Sequence, residues 1–147
     1  MSDPNNRNQQ IIAEFRANGG QVGGFFTNRP LLLLHTTGAK SGLPRLNPLV
    51  YEADNDRYII IASKGGAPTH PDWYYNLTAQ PNVTIEVGTQ LVEATATVAQ
   101  EPERSQLYEK MAARHSFFAD YARQVSRTIP VIILTPTAFS DNPQVKQ

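Results

Sequence analysis

Leu31–Thr37, Arg45–Ala53 and Arg57–Ser63 are runs rich in Leu, Ile, Val, Tyr and Thr, and the links between them are very short. The first link is Gly38-Ala39-Lys40-Ser41-Gly42-Leu43-Pro44 and the second is Asp54-Asn55-Asp56, both of turn-forming composition. A parallel crossover needs roughly a dozen residues or more, so these runs are expected to be antiparallel neighbours. That excludes a doubly wound parallel sheet.

Further strands are predicted over 82–87 and 91–99 around Gly88-Thr89-Gln90, with Val83, Ile85 and Val87 on one side of a half-buried hairpin. Ile129–Leu134 is nearly all apolar and predicts a last strand buried on both faces. Helices are expected between them. Ile11, Ile12 and Phe15 predict one over 7–18, stopped by Gly19-Gly20. His70-Pro71-Asp72 opens a short one through Trp73, Tyr74 and Leu77, and two more are predicted over 102–114 and 117–125. The expectation is an α+β protein: a six-stranded, mostly antiparallel barrel with three to four flanking helices. At 147 residues the chain is expected to be a single domain, with 1–6 and 138–147 frayed.

Composition removes several functions. The absence of cysteine excludes disulfides, thiolate metal sites and a Cys nucleophile. His35, His70 and His115 stand far apart without H-x-x-x-H or H-E-x-x-H spacing, so no metal site is expected. No G-x-S-x-G elbow, Walker loop or G-x-G-x-x-G opening a helix occurs. Thirteen basic and thirteen acidic side chains balance, which argues against a nucleic-acid partner. The longest apolar run, Pro30 to Leu34, is far short of a membrane span, and residues 1–6 lack the features of a signal peptide. A cytoplasmic location is expected.

The distribution of charge says more than its sum. No acid lies between Glu14 and Glu52, whereas Arg16, Arg29, Lys40 and Arg45 do. Lys40 and Arg45 flank one hairpin loop, and Lys64 precedes Gly65-Gly66 after the third strand. Glycines let backbone N–H groups turn toward an anion and lysines supply countercharge, so these loops predict a phosphate- or carboxylate-binding corner. Solvated turn lysines would read the same way. Trp73, Tyr74 and Tyr75 follow the Lys64 loop, and His115, Phe117, Phe118 and Tyr121 gather later. Core packing accounts for Tyr74 and Phe118, while Trp73 suits the wall of a planar, flavin-like nucleotide.

Four stretches carry a resemblance. They are Thr36-Thr37-Gly38-Ala39-Lys40-Ser41-Gly42-Leu43-Pro44-Arg45-Leu46-Asn47-Pro48-Leu49, Ala62-Ser63-Lys64-Gly65-Gly66, Pro71-Asp72-Trp73-Tyr74-Tyr75-Asn76-Leu77 and Arg127-Thr128-Ile129-Pro130. In order and spacing they resemble the deazaflavin-dependent nitroreductase and quinone reductase family, over about residues 10–136. The resemblance implies a split β-barrel related to FMN-binding oxidases and a cytoplasmic reductase using reduced coenzyme F420. A quinone, enone or nitroaromatic would accept the hydride. It implies that Lys40, Arg45 and Lys64, with Gly65 and Gly66, hold the cofactor's phosphate and oligoglutamate tail. The ring would lie against Asn47, Pro48, Leu49, Ala62, Ser63 and Trp73, supported by Asn76. Tyr121, Ser63 and His115 are then the candidates to orient or protonate the acceptor. Phe118 departs from the family pattern, in which several tyrosines line the acceptor pocket, because it has no hydroxyl to donate. An FMN-dependent reductase on the same barrel and a non-catalytic F420 carrier are the alternatives. The short first helix implies at most peripheral contact with the inner face of a membrane.

Overall fold

The computed structural model describes residues 4–27 and 29–145, without the side chains of residues 4–6 and 25. β1 (Leu31–Thr37) and β2 (Pro44–Val50) form the expected hairpin, with Leu31 opposite Val50 and Thr37 opposite Pro44. The run predicted as one strand over 45–53 is two. β2 ends at Val50, and β3 (Glu52–Asp54) begins after a single residue, Tyr51, to pair with β4 (Arg57–Ile61). β5 (Asn82–Val87), β6 (Gln90–Val98) and β7 (Val131–Asp141) complete a seven-stranded antiparallel sheet ordered β2-β1-β5-β6-β7-β4-β3.

That order explains the curl. β2 and β3 are the two ends of the sheet, yet only Tyr51 separates them in the chain. Consecutive Cα atoms lie about 3.8 Å apart, so the two edges must approach one another. The sheet therefore bends into a barrel split between β2 and β3.

Strand alternation sorts the apolar residues into an interior and an exterior. Leu32, Leu34, Ile60, Ile132 and Leu134 face inward, and α2 (Asp72–Ala79) adds Trp73 and Leu77 to the same cluster. The neighbouring residues Ile59, Ile61, Val131 and Ile133 face outward under α3 (Glu103–Arg114) and α4 (Phe117–Gln124), through Leu107, Met111 and Phe118. α1 (Pro4–Ala17) covers the outer face of β1, with Phe15 on Leu31 and Leu33. Strands covered on both sides read as unbroken apolar runs, which is the pattern of 31–34 and 131–134.

The expected fraying of 138–147 is corrected. Ala138–Asp141 continue β7 along Gln90–Glu93 of β6, and Asn142 and Val145 are buried. Ordinary composition hid this: Pro136-Thr137-Ala138-Phe139-Ser140-Asp141 carries little apolar signal, but its backbone satisfies an otherwise bare strand. α1 likewise begins at Pro4 rather than residue 7, so the backbone of 4–6 is helical; residues 1–3, 146 and 147, also expected to fray, lie outside the described residues.

Candidate active site

The β1–β2 loop is built by short-range bonds. Gly38 N–H donates to the Leu43 carbonyl at 2.8 Å and Gly42 N–H to the Gly38 carbonyl at 2.9 Å. A Cβ at Gly38 would displace Ser41 Oγ from its bond to Leu43 N–H and crowd the Leu43 carbonyl at 3.3 Å, so a larger residue would disturb the turn. Buried Asn76 on α2 ties the loop down. Its Oδ1 accepts from Ala39 N–H at 2.9 Å, and its Nδ2 donates to Thr36 Oγ1 at 3.2 Å.

Lys40 and Arg45 are thereby left exposed on the rim of a cleft of about 530 Å³, with Ser41, Asp72, Tyr75 and Asn76 also lining it. A second cleft of about 870 Å³ shares Arg45, Asp72 and Asn76 with the first. It adds Asn47 and Trp73, and one face of α1 through Ile12, Ala13 and Arg16. Both volumes fall in the range of small-molecule sites.

Lys64, Gly65 and Gly66 form a tight turn with positive φ at all three, 50°, 62° and 83°. This turn lines neither cleft. Lys64 Nζ donates to Thr69 Oγ1 at 3.3 Å, and Gly66 N–H to the Ser63 carbonyl at 3.1 Å. A Cβ on Gly66 would collide with Gln124 Oε1 and sit 3.1 Å from Tyr121 Cδ1, so the turn packs directly on α4. Arg127 clamps it from beneath. Its guanidinium donates to the carbonyls of Ala67 (3.1 Å), Ala62 (3.3 Å) and Ser63 (2.9 Å), and lies 2.7 Å from His70 Nδ1. Burial, and secondarily the Arg127 charge, push the His70 pKa down.

A family model described as "F420H(2)-dependent quinone reductase" matches residues 7–136. The chain belongs to the F420H(2)-dependent quinone reductase family. It is 41% identical over 127 residues to the F420H(2)-dependent quinone reductase Rv1261c of Mycobacterium tuberculosis, covering 84% of this chain and 85% of that one. A solved F420-H2 dependent reductase, FDR-A, is 37% identical with a TM-score of 0.67, covering 76% of this chain and 99% of that one. HutZ of Vibrio cholerae, described as a haem storage protein, shares only the fold: TM-score 0.60 at 16% identity, covering 78% of this chain and 87% of that one. A family of F420H(2)-dependent quinone reductases is a family of oxidoreductases whose cofactor is coenzyme F420. None of the described helices is long and apolar enough to cross a membrane.

The first cleft is rimmed by cations. Lys40 and Arg45 present exposed cations on a hairpin without acids, and the one lining carboxylate, Asp72, stands in the first turn of α2 beside the positive end of its dipole. Of the residues read from the sequence, the fold gathers Lys40, Arg45, Asn47, Trp73 and Asn76 around the two clefts. Pro48 is a half-buried β2 residue opposite Leu33, and Leu49 and Ala62 belong with Trp73 to the barrel interior. Ser63, Lys64, Gly65, Gly66 and Tyr121 form a separate group at α4. His115 lies in neither group. It is buried at the end of α3 with its Nε2 3.4 Å from Glu52 Oε2 and its ring against Phe117 and Phe118.

Sequence reasoning missed one cluster. Glu86 on β5 is fully buried, and its carboxylate accepts from Arg16 Nε (3.0 Å) and Nη2 (2.7 Å), His35 Nε2 (2.7 Å) and Asn142 Nδ2 (2.7 Å). Burial raises its pKa, but the bonds from His35, Arg16 and Asn142 outweigh burial and hold it at about 2. The available signal was Glu86 itself, an acid within the apolar alternation of 82–87. Its partners come from three distant segments, so no local pattern could name them.

Proposed function

We propose that this chain reduces a quinone with reduced coenzyme F420, binding the cofactor's anionic tail at Lys40 and Arg45 and its ring beside Asn47 and Trp73. One observation carries the reading. Two clefts adjoin at Arg45, Asp72 and Asn76, one rimmed by free cations and the other walled by a tryptophan and amides. Together they suit a molecule with a charged tail and a flat head.

When bound, the reduced deazaflavin supplies a hydride. The chain's residues position and stabilise. Lys40 and Arg45 attract the tail, and Asn76 keeps their loop in one shape. Pro48, Leu49 and Ala62 back the wall of the ring site. In this reading the Lys64–Gly66 turn adds charge and backbone amides at the far end. Gly66 N–H is already engaged by the Ser63 carbonyl, so the turn's contribution rests on Lys64 and Gly65. Ser63 and Tyr121, on the two sides of that turn, are assigned to orient the acceptor and return a proton to its oxygen. His115 is assigned to Glu52 rather than to the acceptor.

Titration of the purified chain with oxidised F420, and separately with FMN, followed by fluorescence, tests the cofactor. Salt-sensitive F420 binding that weakens in Lys40→Ala supports the reading, and tight FMN binding without an F420 response replaces it. Anaerobic mixing of the F420H2-loaded protein with menadione tests the reaction. Binding without acceptor-dependent oxidation would identify a carrier instead of a reductase.

A further inference from the structure

We propose that Arg127 is a positioning residue for the acceptor, holding the carbonyls of Ala62 and Ser63 so that the next N–H groups, those of Ser63 and Lys64, cradle a carbonyl oxygen of the quinone. This rests on the quinone reductase reading, in which Ser63 stands at the acceptor. The Arg127 guanidinium donates to the Ser63 carbonyl at 2.9 Å, and to the Ala62 carbonyl at 3.3 Å from both Nη1 and Nη2. A trans peptide is planar, so each carbonyl and the N–H that follows it point opposite ways. With both carbonyls turned to Arg127, the Ser63 and Lys64 N–H groups face away from it. Ser63 is right-handed (φ −80°, ψ −31°) and Lys64 follows with φ 50°. That succession brings neighbouring N–H groups together into a concavity that suits a negatively charged oxygen.

The turn is built and unfilled. Ser63 is buried, yet among the described residues its N–H, its hydroxyl and the Lys64 N–H make no hydrogen bond. Buried backbone donors are nearly always paired, so these are donors for a ligand. Lys64 holds a positive φ that a lysine rarely adopts and that persists only where its surroundings enforce it. Arg127 enforces it and is itself fixed. Its Nε donates to the Ala67 carbonyl, and its Nη1 lies 2.7 Å from His70 Nδ1, which must accept because a guanidinium only donates. Tyr121 packs on the same turn at Gly66, while the Lys64 ammonium and the Gly65 amide stay with the cofactor. The quinone gains two electrons with the hydride from the reduced cofactor, then a proton, and leaves as hydroquinone. Between the two transfers its oxygen carries the negative charge. Donors fixed in advance stabilise that charge without reorganising, so Arg127 acts on kcat rather than on quinone binding.

The test uses the full chain loaded with F420H2, menadione as acceptor, and a thermal melt of each variant. In Arg127→Lys kcat should fall about tenfold, while KM for menadione and F420 affinity each stay within about twofold of wild type. His70→Leu, which takes one acceptor from Arg127 and leaves its carbonyl bonds, should lower kcat about threefold. A second readout needs no turnover. Para-nitrophenolate stands in for the charged oxygen, and in the cofactor-free, isotope-labelled chain it should shift the amide signals of Ser63 and Lys64 downfield and saturably, with weaker affinity in Arg127→Lys. Unchanged kcat in both variants, KM or F420 affinity worsening as much as kcat, or nitrophenolate that leaves Ser63 and Lys64 unmoved would each overturn the proposal. Arg127-dependent shifts at Ser63 and Lys64, in a chain that never oxidises F420H2 with menadione, would keep the cradle and sink the reductase reading.

Discussion

Asn76 uses both ends of one amide: the oxygen holds Ala39 N–H and the nitrogen reaches Thr36 Oγ1. An alanine there leaves the buried Thr36 hydroxyl without its partner and frees the loop's Ala39 N–H, at a cost of about 1–3 kcal/mol. Asn76→Ala should therefore lower the urea midpoint and also weaken F420, because the loop bearing Lys40 loses its anchor. Lys40 itself is exposed, and among the described residues its side chain makes no hydrogen bond or ion pair. Lys40→Ala should leave stability within about 0.5 kcal/mol of wild type while F420 affinity falls about tenfold, and the difference should shrink as salt rises. Equal effects of the two variants on stability would mean that the loop is not held from α2.

The Lys64–Gly66 turn, α4 and the segment around Arg127 act as one element. Gly66 has φ 83°, and a Cβ there would displace the end of the Gln124 side chain and crowd Tyr121 Cδ1 at 3.1 Å, so Gly66→Ala is strained chiefly through its backbone. It should destabilise by about 1–3 kcal/mol and increase amide exchange in both the turn and α4. Arg127→Lys replaces a fork that reaches three carbonyls with a single ammonium, and should speed exchange over 62–70 while the barrel strands remain protected. His70 belongs to the same clamp. Its pKa is lowered by burial first and by Arg127 second, so its contribution is complete above its ordinary value of about 6.5 and is lost as pH falls below it. Protection of the turn amides, corrected for the intrinsic pH dependence of exchange, should fall accordingly on mild acidification, and a flat protection profile would detach His70 from the clamp.

Glu86 ties the molecule together, because its partners come from α1, β1 and the segment after β7. Its pKa falls from 4.5 to about 2 on folding, so it contributes stability that is complete above about pH 4.5 and is lost as pH drops toward 2. The size is on the order of 3 kcal/mol. Acid unfolding should therefore fall mainly in that window, and Asn142→Ala, which removes one donor, should move its midpoint to higher pH. A midpoint that does not respond to Asn142→Ala would mean that the carboxylate is held without the C-terminal segment.

Much of this was legible in the chain. Seven- and three-residue links between apolar runs dictated antiparallel pairing, because no crossover fits in them. The four motifs identified the family, and the acid-free stretch around Lys40 and Arg45 pointed to a cationic cleft, which the fold places on the β1–β2 loop. Local chemistry determines such features, so local sequence carries them. Three others were decided only in three dimensions. The break at Tyr51 depends on which partner each half of the run finds, and the closure of the barrel follows from it. The end of β7 is ordered by the edge of β6 more than by its own residues. His35, whose ring showed no metal spacing, and Arg16, one cation among several, became parts of one site because a buried carboxylate needs donors on every side, and only the folded chain brings them together.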